Sequence, residues 1–333
     1  MLFLSKENIE QSFSMQDAIQ ACKDALSMYS KGMAEVPLRT NFAINEYDGH
    51  SLYMPAYVSG EQGALGIKIA SVYPGNVAKN LPSINAVVLS LDPKTGVVTA
   101  CLDGTYLTQL RTGAVQGAAT DLLARKDASI GALIGTGGQA ASQLEAMLAV
   151  RNLSEVRVCG LDFERTTAFV NRMRKRFDIE LIAVKSSKAC VSGADIITTV
   201  TTSTKPTFAA EWIKDGAHIN GIGAYMPEMC EIPKEIIGRA DVIIFDTMDG
   251  VLGEAGDFIV PLEQGFVSIE DYHGELGELV NGDIQGRSSD QQITIFKSVG
   301  SAVLDVVVAA KIVAQAQTKN LGVQLSEFFR TFL

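Results

Sequence analysis

The sequence is poor in the residues that build metal, disulfide and catalytic-triad sites. Its 333 residues contain three histidines, one tryptophan and five cysteines. No two cysteines form a C-x-x-C pair, and His50, His218 and His273 have no serine, cysteine or aspartate at a triad spacing. This pattern predicts free thiols in a reducing compartment, structural histidines and no bound metal.

Positive charge and long apolar runs are also scarce. The net charge of −10 argues against a phosphate-backbone partner, which requires clustered lysines and arginines. The one dense basic run, residues 172–176, is typical of a solvated helix face. Asp305 interrupts the longest apolar candidate for a membrane span, residues 302–310, and the N-terminus lacks the pattern of a signal peptide. We therefore expect a soluble, cytoplasmic protein with no nucleic-acid or membrane partner.

A glycine-rich segment, residues 129–140, is the feature around which the chain is organised. An apolar run without helical period, typical of a strand buried on both faces, precedes Gly135, Gly137 and Ala140 in the pattern G-x-G-x-x-A. A helix-compatible run follows. Strand, glycine turn and helix in this order place free N–H groups and a positive helix end against a pyrophosphate. The segment predicts dinucleotide binding, with a purely structural turn as the alternative.

The periodicity on either side of this segment predicts two kinds of structure. A capping box at Ser14 and Asp17 opens a helix, and residues 51–58, 64–72, 84–92 and 97–102 alternate like antiparallel strands before a helix at 106–124. From residue 130 to 299, short apolar strands alternate with helices, as in a parallel sheet covered on both faces.

We therefore predict an α/β protein with two domains. A Rossmann-type doubly wound parallel sheet occupies residues 121–300. An α+β domain is formed by residues 1–120 together with 301–333, since the alternation ends before the last helix, which we expect to return to the first domain.

The identity of the dinucleotide stays open. The position about 20 residues beyond the motif, where an acid usually binds the ribose 2′-OH, is Gly160, and Asp162 follows two residues later. Asp162 suits NAD, Arg165 suits the 2′-phosphate of NADP, and the alternative for Asp162 is a helix N-cap. The hydroxyl-rich run 198–203 lies where such folds bind ligands, although threonine is also a common strand residue.

Three cations of the first domain stand out. Lys68 interrupts an apolar strand, and the period alone favours a solvent-facing side chain there. Arg111 lies in a predicted helix among small and apolar neighbours, and Arg39 follows Pro37 ahead of the strands. Taken with their neighbours, they resemble the ornithine cyclodeaminase/μ-crystallin family. The similar segments run in order along nearly the whole chain: residues 37–40, 54–56, 65–68, 81–83, 92–96, 108–112, 135–140, 222–224 with Glu231, and 296–302.

The resemblance implies a homodimer whose first domain binds the substrate and forms the dimer contact. It implies that Arg39, Lys68 and Arg111 hold the substrate carboxylate, with Lys68 and Arg111 in the catalytic positions, a chemistry that suits a guanidinium and an ammonium. Met54 and Tyr225 complete the expected substrate site. The expected NAD(P)H site comprises Thr112, Gly135, Thr136, Gly137, Gly138, Gln139, Ala140, Asp162, Arg165, Val200, Thr201, Thr202, Ile222, Gly223, Ser298 and Gly300.

One departure from the family narrows the expected reaction. Cyclodeaminases and archaeal alanine dehydrogenases of the family carry an aspartate in the loop where this chain has Tyr225, and Glu228 lies three residues away. Tyrosine is not ionised near neutrality, which argues against deamination of ornithine. The resemblance then implies reduction of a cyclic imine such as Δ1-pyrroline-2-carboxylate or Δ1-piperideine-2-carboxylate to proline or pipecolate. An alanine dehydrogenase-like enzyme, a cyclodeaminase and a non-catalytic cofactor-binding protein remain as alternatives.

Overall fold

The computed structural model describes residues 1–61, 63–79 and 81–325. The chain divides into two compact units. Among the described residues, the first unit comprises Met1–Arg111 together with residues 301–325, and the second unit comprises Thr112–Gly300. Residues 326–333, which the sequence assigns to the first domain, lie outside the described residues.

The strands are numbered along the chain. They are β1 (Leu2–Leu4), β2 (Ala34–Glu35), β3 (Thr40–Ile44), β4 (Gly49–Val58), β5 (Ala64–Val72), β6 (Ile84–Leu91), β7 (Val98–Asp103), β8 (Ile130–Ile134), β9 (Glu155–Cys159), β10 (Glu180–Ala183), β11 (Ile196–Thr199), β12 (His218–Gly221), β13 (Val242–Phe245), β14 (Gly274–Glu275), β15 (Thr294–Lys297) and β16 (Val323–Gln324).

The helices are numbered in the same way. They are α1 (Lys6–Ser12), α2 (Met15–Ser30), α3 (Gly104–Leu123), α4 (Ala140–Val150), α5 (Phe163–Met173), α6 (Ser187–Val191), α7 (Lys234–Ile237), α8 (Met248–Glu254), α9 (Gly256–Glu263), α10 (Leu276–Asn281) and α11 (Ala302–Thr318). No helix in the described part of the chain is long and apolar enough to cross a bilayer.

The first unit is built on one sheet with the strand order β16-β1-β7-β6-β5-β4-β2, and β3 pairs with β4 at one end. Its strand pairs are antiparallel except for β1 with β7, which is parallel. The sequence predicts neither β1 nor α1. Strand β1 has only three residues, which are too few to carry a readable period. Helix α11 packs against α2 and against β4, β5 and β6.

The boundary between the units falls inside helix α3, between Arg111 and Thr112. The sequence instead predicts it at residue 120, later in the same helix. A continuous helix of small apolar residues has no break in composition, so nothing in the sequence marks the point where its contacts pass from one unit to the other.

The second unit contains a sheet in the order β10-β9-β8-β11-β12-β15-β13-β14, in which every pair is parallel. The prediction of a Rossmann-type doubly wound α/β fold is confirmed. The strand order reverses between β8 and β11, which lie side by side. In such sheets, ligands bind beyond the carboxyl ends of the strands at this switch point, which is where the residues after β8 and β11 lie.

Candidate active site

Lys68 and Arg111 share one buried carboxylate in the first unit. The Lys68 Nζ lies 2.7 Å from Oδ2 of Asp305, and the Arg111 Nε donates a hydrogen bond of 2.9 Å to Oδ1 of the same residue. The side chain of Asp305 is fully buried, and those of Lys68 and Arg111 are 3% and 7% exposed. Two positive charges and one negative charge leave one net positive charge in a nearly dry environment. The solvent-facing alternative for Lys68 is therefore wrong.

The packing of β5 explains how a lysine becomes buried there. Lys68 shares its face of the strand with Ala64, Gly66 and Ala70, which are all small. A Cβ added at Gly66 would lie 3.1 Å from Val306 of α11, so the helix approaches the sheet closely along this face. The close approach brings Asp305 within reach of Lys68.

The electrostatics of this cluster follow from burial and charge. Burial lowers the pKa of Lys68 to about 8, although the attraction of Asp305 opposes this shift. Burial also disfavours the charged form of Asp305, but Arg111 and Lys68 outweigh this effect and hold its pKa below the usual range. The carboxylate is therefore ionised at neutral pH, and Lys68 loses its proton at a pH well below that of an ordinary lysine.

Two other predicted substrate residues belong to the same unit. Met54 is buried and lies opposite Lys68 in the pairing of β4 with β5, so their side chains share one face. Arg39 is partly buried just before β3, and its charge contributes to the lowered pKa of Lys68. Arg39, Lys68, Met54 and Arg111 thus form one neighbourhood within the first unit.

The glycine turn of the second unit has the shape of a phosphate cradle. Gly135 has a φ of +113°, and a Cβ there would lie 2.6 Å from the carbonyl oxygen of Val200, so only glycine fits. At Gly137, an added Cβ would meet no described atom within 4 Å, which leaves the backbone open to a ligand. Ala140 is fully buried at the start of α4, where a small residue lets the helix pack closely.

Polar groups at this turn are available to a ligand. Helix α4 begins after Gln139 without a side-chain cap, and the N–H of its first residue, Ala140, donates a hydrogen bond to the carbonyl oxygen of Gly137. The positive end of the helix dipole lies at this turn. The Oε1 of Gln139 is buried and has no hydrogen-bond partner among the described residues. Thr136 is partly buried, and Gly138 is exposed beside it. These features fit the pyrophosphate of a dinucleotide.

Glu231 fixes the ends of the two neighbouring strands. Its Oε1 accepts hydrogen bonds from the backbone N–H and hydroxyl of Thr201, at 2.6 and 2.8 Å. Its Oε2 accepts from the N–H groups of Gly223 and Ala224, at 2.6 and 3.0 Å. Gly223 packs so closely on Thr201 that a Cβ would lie 2.1 Å from the Thr201 carbonyl oxygen. The carboxylate thereby holds together the predicted cofactor residues after β11 and β12.

A second buried acid supports Glu231. Asp257 accepts hydrogen bonds from the backbone N–H groups of Glu231 and Ile232 and, at 2.9 Å, from the Nζ of the fully buried Lys297. The sequence analysis gives Asp257 no place in the expected site. In the described residues, no group of histidine, cysteine, aspartate or glutamate is arranged to hold a metal ion, and the five cysteines are free thiols.

A third acid, Asp246, fixes the loop that follows β15. It accepts a hydrogen bond of 2.6 Å from the hydroxyl of Ser298 and one of 2.8 Å from the N–H of Gly300. Asp162 is exposed after β9, and its Oδ1 accepts from the N–H groups of Glu164 and Arg165, so it is the N-cap of α5. Only one of its oxygens makes these bonds.

The remaining predicted residues of the second unit have varied exposure. Thr112, Val200 and Ile222 are buried, Tyr225 is partly buried, and Thr202, Arg165 and Glu228 are exposed. Asp305, Asp257 and Asp246 are the functional candidates that the sequence misses. Their common signal is a charge within or next to an apolar run, and Asp305 is the partner of two cations that the sequence does single out.

Comparisons with known proteins identify relatives along nearly the whole chain. A model of the ornithine cyclodeaminase/mu-crystallin family matches residues 1–320. The Δ1-pyrroline-2-carboxylate reductase of Bacillus cereus is 35% identical over 322 residues, which cover 97% of this chain and 98% of that protein.

Two solved structures are similar over almost the full length. Thermococcus litoralis Δ1-pyrroline-2-carboxylate reductase in complex with NADH and L-proline has a TM-score of 0.93 and 37% identity, with 98% of this chain and 100% of that chain covered. An archaeal alanine dehydrogenase dimer with bound NAD has a TM-score of 0.90 and 36% identity, with coverages of 98% and 99%. The chain belongs to the ornithine cyclodeaminase/mu-crystallin family.

Proposed function

We propose that this protein is an NAD(P)H-dependent reductase of small cyclic imino acids, which converts Δ1-pyrroline-2-carboxylate or Δ1-piperideine-2-carboxylate to proline or pipecolate. The Bacillus cereus relative is named for the first of these reactions, and the Thermococcus litoralis structure contains NADH and L-proline. Within this chain, the cluster of Lys68, Arg111 and Asp305 carries the proposal. The cluster carries one net positive charge in a buried setting, and the single carboxylate of the imino acid would balance this charge.

The substrate carboxylate binds to the groups that Asp305 leaves available. Asp305 engages the Nε of Arg111, so the terminal Nη1 and Nη2 groups form the edge of the guanidinium that a planar carboxylate can bind. Lys68 adds a compact charge with two further N–H groups, and Arg39 adds a third cation. Anchoring one end of a small imino acid in this way restricts the orientation of its C2 atom.

The chemical step needs little acid or base from the protein. A bound NAD(P)H supplies a hydride. In a protonated imine, C2 is already electrophilic, so the hydride adds to C2 while the electron pair of the C=N bond moves to nitrogen, which already carries its proton. Arg39, Lys68 and Arg111 therefore contribute to catalysis mainly by binding and orienting the imino acid.

The dinucleotide is bound by the second unit. The pyrophosphate lies against residues 135–140, where Gly137 is open and the start of α4 has no side-chain cap. The loops held by Glu231, which contain Val200, Thr201 and Gly223, lie next to this turn through the close approach of Gly135 to Val200. We assign the free carboxylate oxygen of Asp162 to the ribose 2′-OH, which makes NADH the preferred cofactor.

The functional form is a homodimer. One face of the first-unit sheet carries apolar side chains that are only partly buried in the single chain. These residues lie opposite one another on the neighbouring strands β4, β5 and β6: Tyr53, Pro55, Tyr57, Leu65, Ile67, Ile69, Val87, Leu89 and Leu91. Contiguous apolar surface of this kind is typical of protein interfaces. The archaeal alanine dehydrogenase of similar structure is a dimer.

An alanine dehydrogenase-like activity is the second candidate, since that archaeal enzyme is 36% identical to this chain. The two are separated by one substrate panel with the full-length protein. Oxidation of NADH or NADPH is followed with Δ1-pyrroline-2-carboxylate, with Δ1-piperideine-2-carboxylate, and with pyruvate plus ammonia. We expect rapid oxidation with a cyclic imine, and oxidation only with pyruvate plus ammonia would favour the dehydrogenase.

A further inference from the structure

Asp305 is the unexpected member of the cation cluster. It is the only charged residue among the eight that begin the apolar helix α11, and its side chain is fully buried. Removing a carboxylate from water is costly unless cations compensate for it. Lys68 and Arg111 compensate here, and together they hold both oxygens of Asp305. A residue that only stabilised the helix would be apolar like its neighbours.

We propose that Asp305 is the positioning residue of the substrate carboxylate site, which fixes the ammonium of Lys68 and the guanidinium of Arg111 in the orientation that binds the imino acid. This inference rests on the proposed function and adds to it a residue that does not touch the substrate.

The geometry gives Asp305 control over both cations. Its Oδ1 accepts from Nε of Arg111, which fixes the plane of the guanidinium and directs the Nη edge away from Asp305. Its Oδ2 holds Nζ of Lys68 at 2.7 Å. Without this carboxylate, two like charges that now converge on one residue would repel each other, and neither side chain would keep a defined direction.

Asp305 also maintains the charge of Lys68. The charged groups that face Lys68 are Asp305 from α11, Arg111 from α3 and Arg39 from the segment before β3. Asp305 is the one anion among them. Burial and the two arginines lower the pKa of Lys68 to about 8, and the attraction of Asp305 prevents a larger fall. With a neutral residue at position 305, Lys68 would lose its proton at a lower pH.

The test compares Asp305→Asn with Asp305→Glu in the full-length enzyme. For each variant, the KM for Δ1-pyrroline-2-carboxylate, the KM for NADH, kcat and the pH profile of kcat/KM are measured against the wild type. Asp24→Asn is the matched control, because Asp24 pairs with Lys311 of the same helix α11. The ionisation of the imine itself is common to all four proteins, so only differences between the profiles are interpreted.

We expect Asp305→Asn to raise the KM for the imino acid at least about tenfold, because charge-assisted hydrogen bonds are lost or misdirected. The alkaline limb of its kcat/KM profile should move to lower pH by about one unit. Its KM for NADH should stay near the wild-type value. Asp305→Glu should restore the alkaline limb and part of the affinity, and Asp24→Asn should change neither.

An Asp305→Asn enzyme that binds the imino acid as well as or better than the wild type, or that keeps the wild-type alkaline limb, would overturn the proposal. If this variant does not fold, Asp305→Glu decides the question, since it keeps the charge but displaces it, and an unchanged KM would then contradict positioning. A wild-type enzyme inactive on cyclic imines overturns the proposed function and this inference together. An active wild type with an unaffected variant overturns the inference alone.

Discussion

Arg111 donates a hydrogen bond of 2.9 Å from its Nε to Oδ1 of Asp305, a residue 194 positions away in the sequence. This bond connects helix α3 to helix α11 within the first unit, and it leaves the terminal amino groups of the guanidinium available to another anion. Lys68 completes the arrangement from strand β5. The proposed reductase activity depends on this buried pair of cations.

The charge of Lys68 predicts a pH dependence of substrate binding. Lysine is cationic below its pKa and neutral above it, and burial lowers the pKa of Lys68 to about 8. We expect the KM for the imino acid to rise as the pH increases through about 8, by up to about tenfold per pH unit beyond it. Steady-state kinetics across the neutral and alkaline range measure this rise.

The control for this prediction is Lys68→Arg, because arginine stays protonated throughout the range. The rise in KM should then disappear or move to higher pH. If the variant shows the same alkaline rise as the wild type, the rise belongs to the substrate imine, and Lys68 does not bind the carboxylate as a cation.

The open space above Gly137 predicts a selective loss of cofactor binding. Gly137→Ala adds a methyl group that meets no described atom within 4 Å, so the free energy of unfolding should change by less than about 0.5 kcal/mol. The same methyl group would occupy the space that we propose for the pyrophosphate, so we expect the KM for NADH to rise about tenfold or more. Gly253→Ala, at an equally open position in α8, is the matched control. An unchanged KM in Gly137→Ala would contradict the assignment of the turn.

Asp162 is expected to decide between NADH and NADPH. Asp162→Ser keeps a side chain that caps α5 while removing the negative charge, so stability should be nearly unchanged. Loss of a charge-assisted hydrogen bond to the ribose should lower kcat/KM for NADH about tenfold and shift the preference toward NADPH. The ratio of kcat/KM for the two cofactors is the measurement. A ratio equal to that of the wild type would show that Asp162 is only a helix cap.

The apolar face of the first-unit sheet predicts a dimer that a single charge can disrupt. Val87 is 40% exposed in the isolated chain and pairs across the strands with Asp103, so Val87→Lys gains a favourable neighbour within the sheet. We expect this variant to remain folded but to become largely monomeric in sedimentation equilibrium. Val260→Lys, equally exposed in α9 of the second unit, is the control and should sediment as the wild type. A wild type that is itself monomeric would contradict the dimer.

The glycine turn and the parallel sheet could be predicted from sequence because their signals are local. Gly135, Gly137 and Ala140 form a motif of six residues that is readable without knowledge of the fold, and the structure gives a steric reason for the small size of Gly135 and Ala140. The doubly wound fold follows from the alternation of strands and helices after residue 130. Short or isolated elements such as β1 carry too little pattern to be read.

The face on which Lys68 lies could not be predicted. In β5 the large apolar residues Leu65, Ile67 and Ile69 alternate with Ala64, Gly66, Lys68 and Ala70, and the period suggests that the large residues are buried. The structure shows the reverse, since the closely packed helix α11 requires small residues on the face that it covers. The larger residues are left partly exposed on the face that we assign to the dimer.

The roles of the buried acids could not be predicted for a related reason, since each role depends on partners that only the fold brings close. Asp305 pairs with Lys68 and Arg111, and Asp257 pairs with Lys297. Asp246 binds the backbone after β15. The sequence does show each as a lone charge beside apolar residues. It does not show which cation each one binds, and that pairing is what turns Asp305 into part of a site.

The most direct test of the central claim follows hydride transfer in the wild type and in Arg111→Ala. With Δ1-pyrroline-2-carboxylate and NADH deuterated at the transferred position, we expect the wild type to form proline that carries deuterium at C2. Arg111→Ala should lose about a hundredfold in kcat/KM for the imine through loss of the charged hydrogen bonds, with little change in the KM for NADH. Absence of labelled proline from the wild type, or wild-type turnover by Arg111→Ala, would contradict the account.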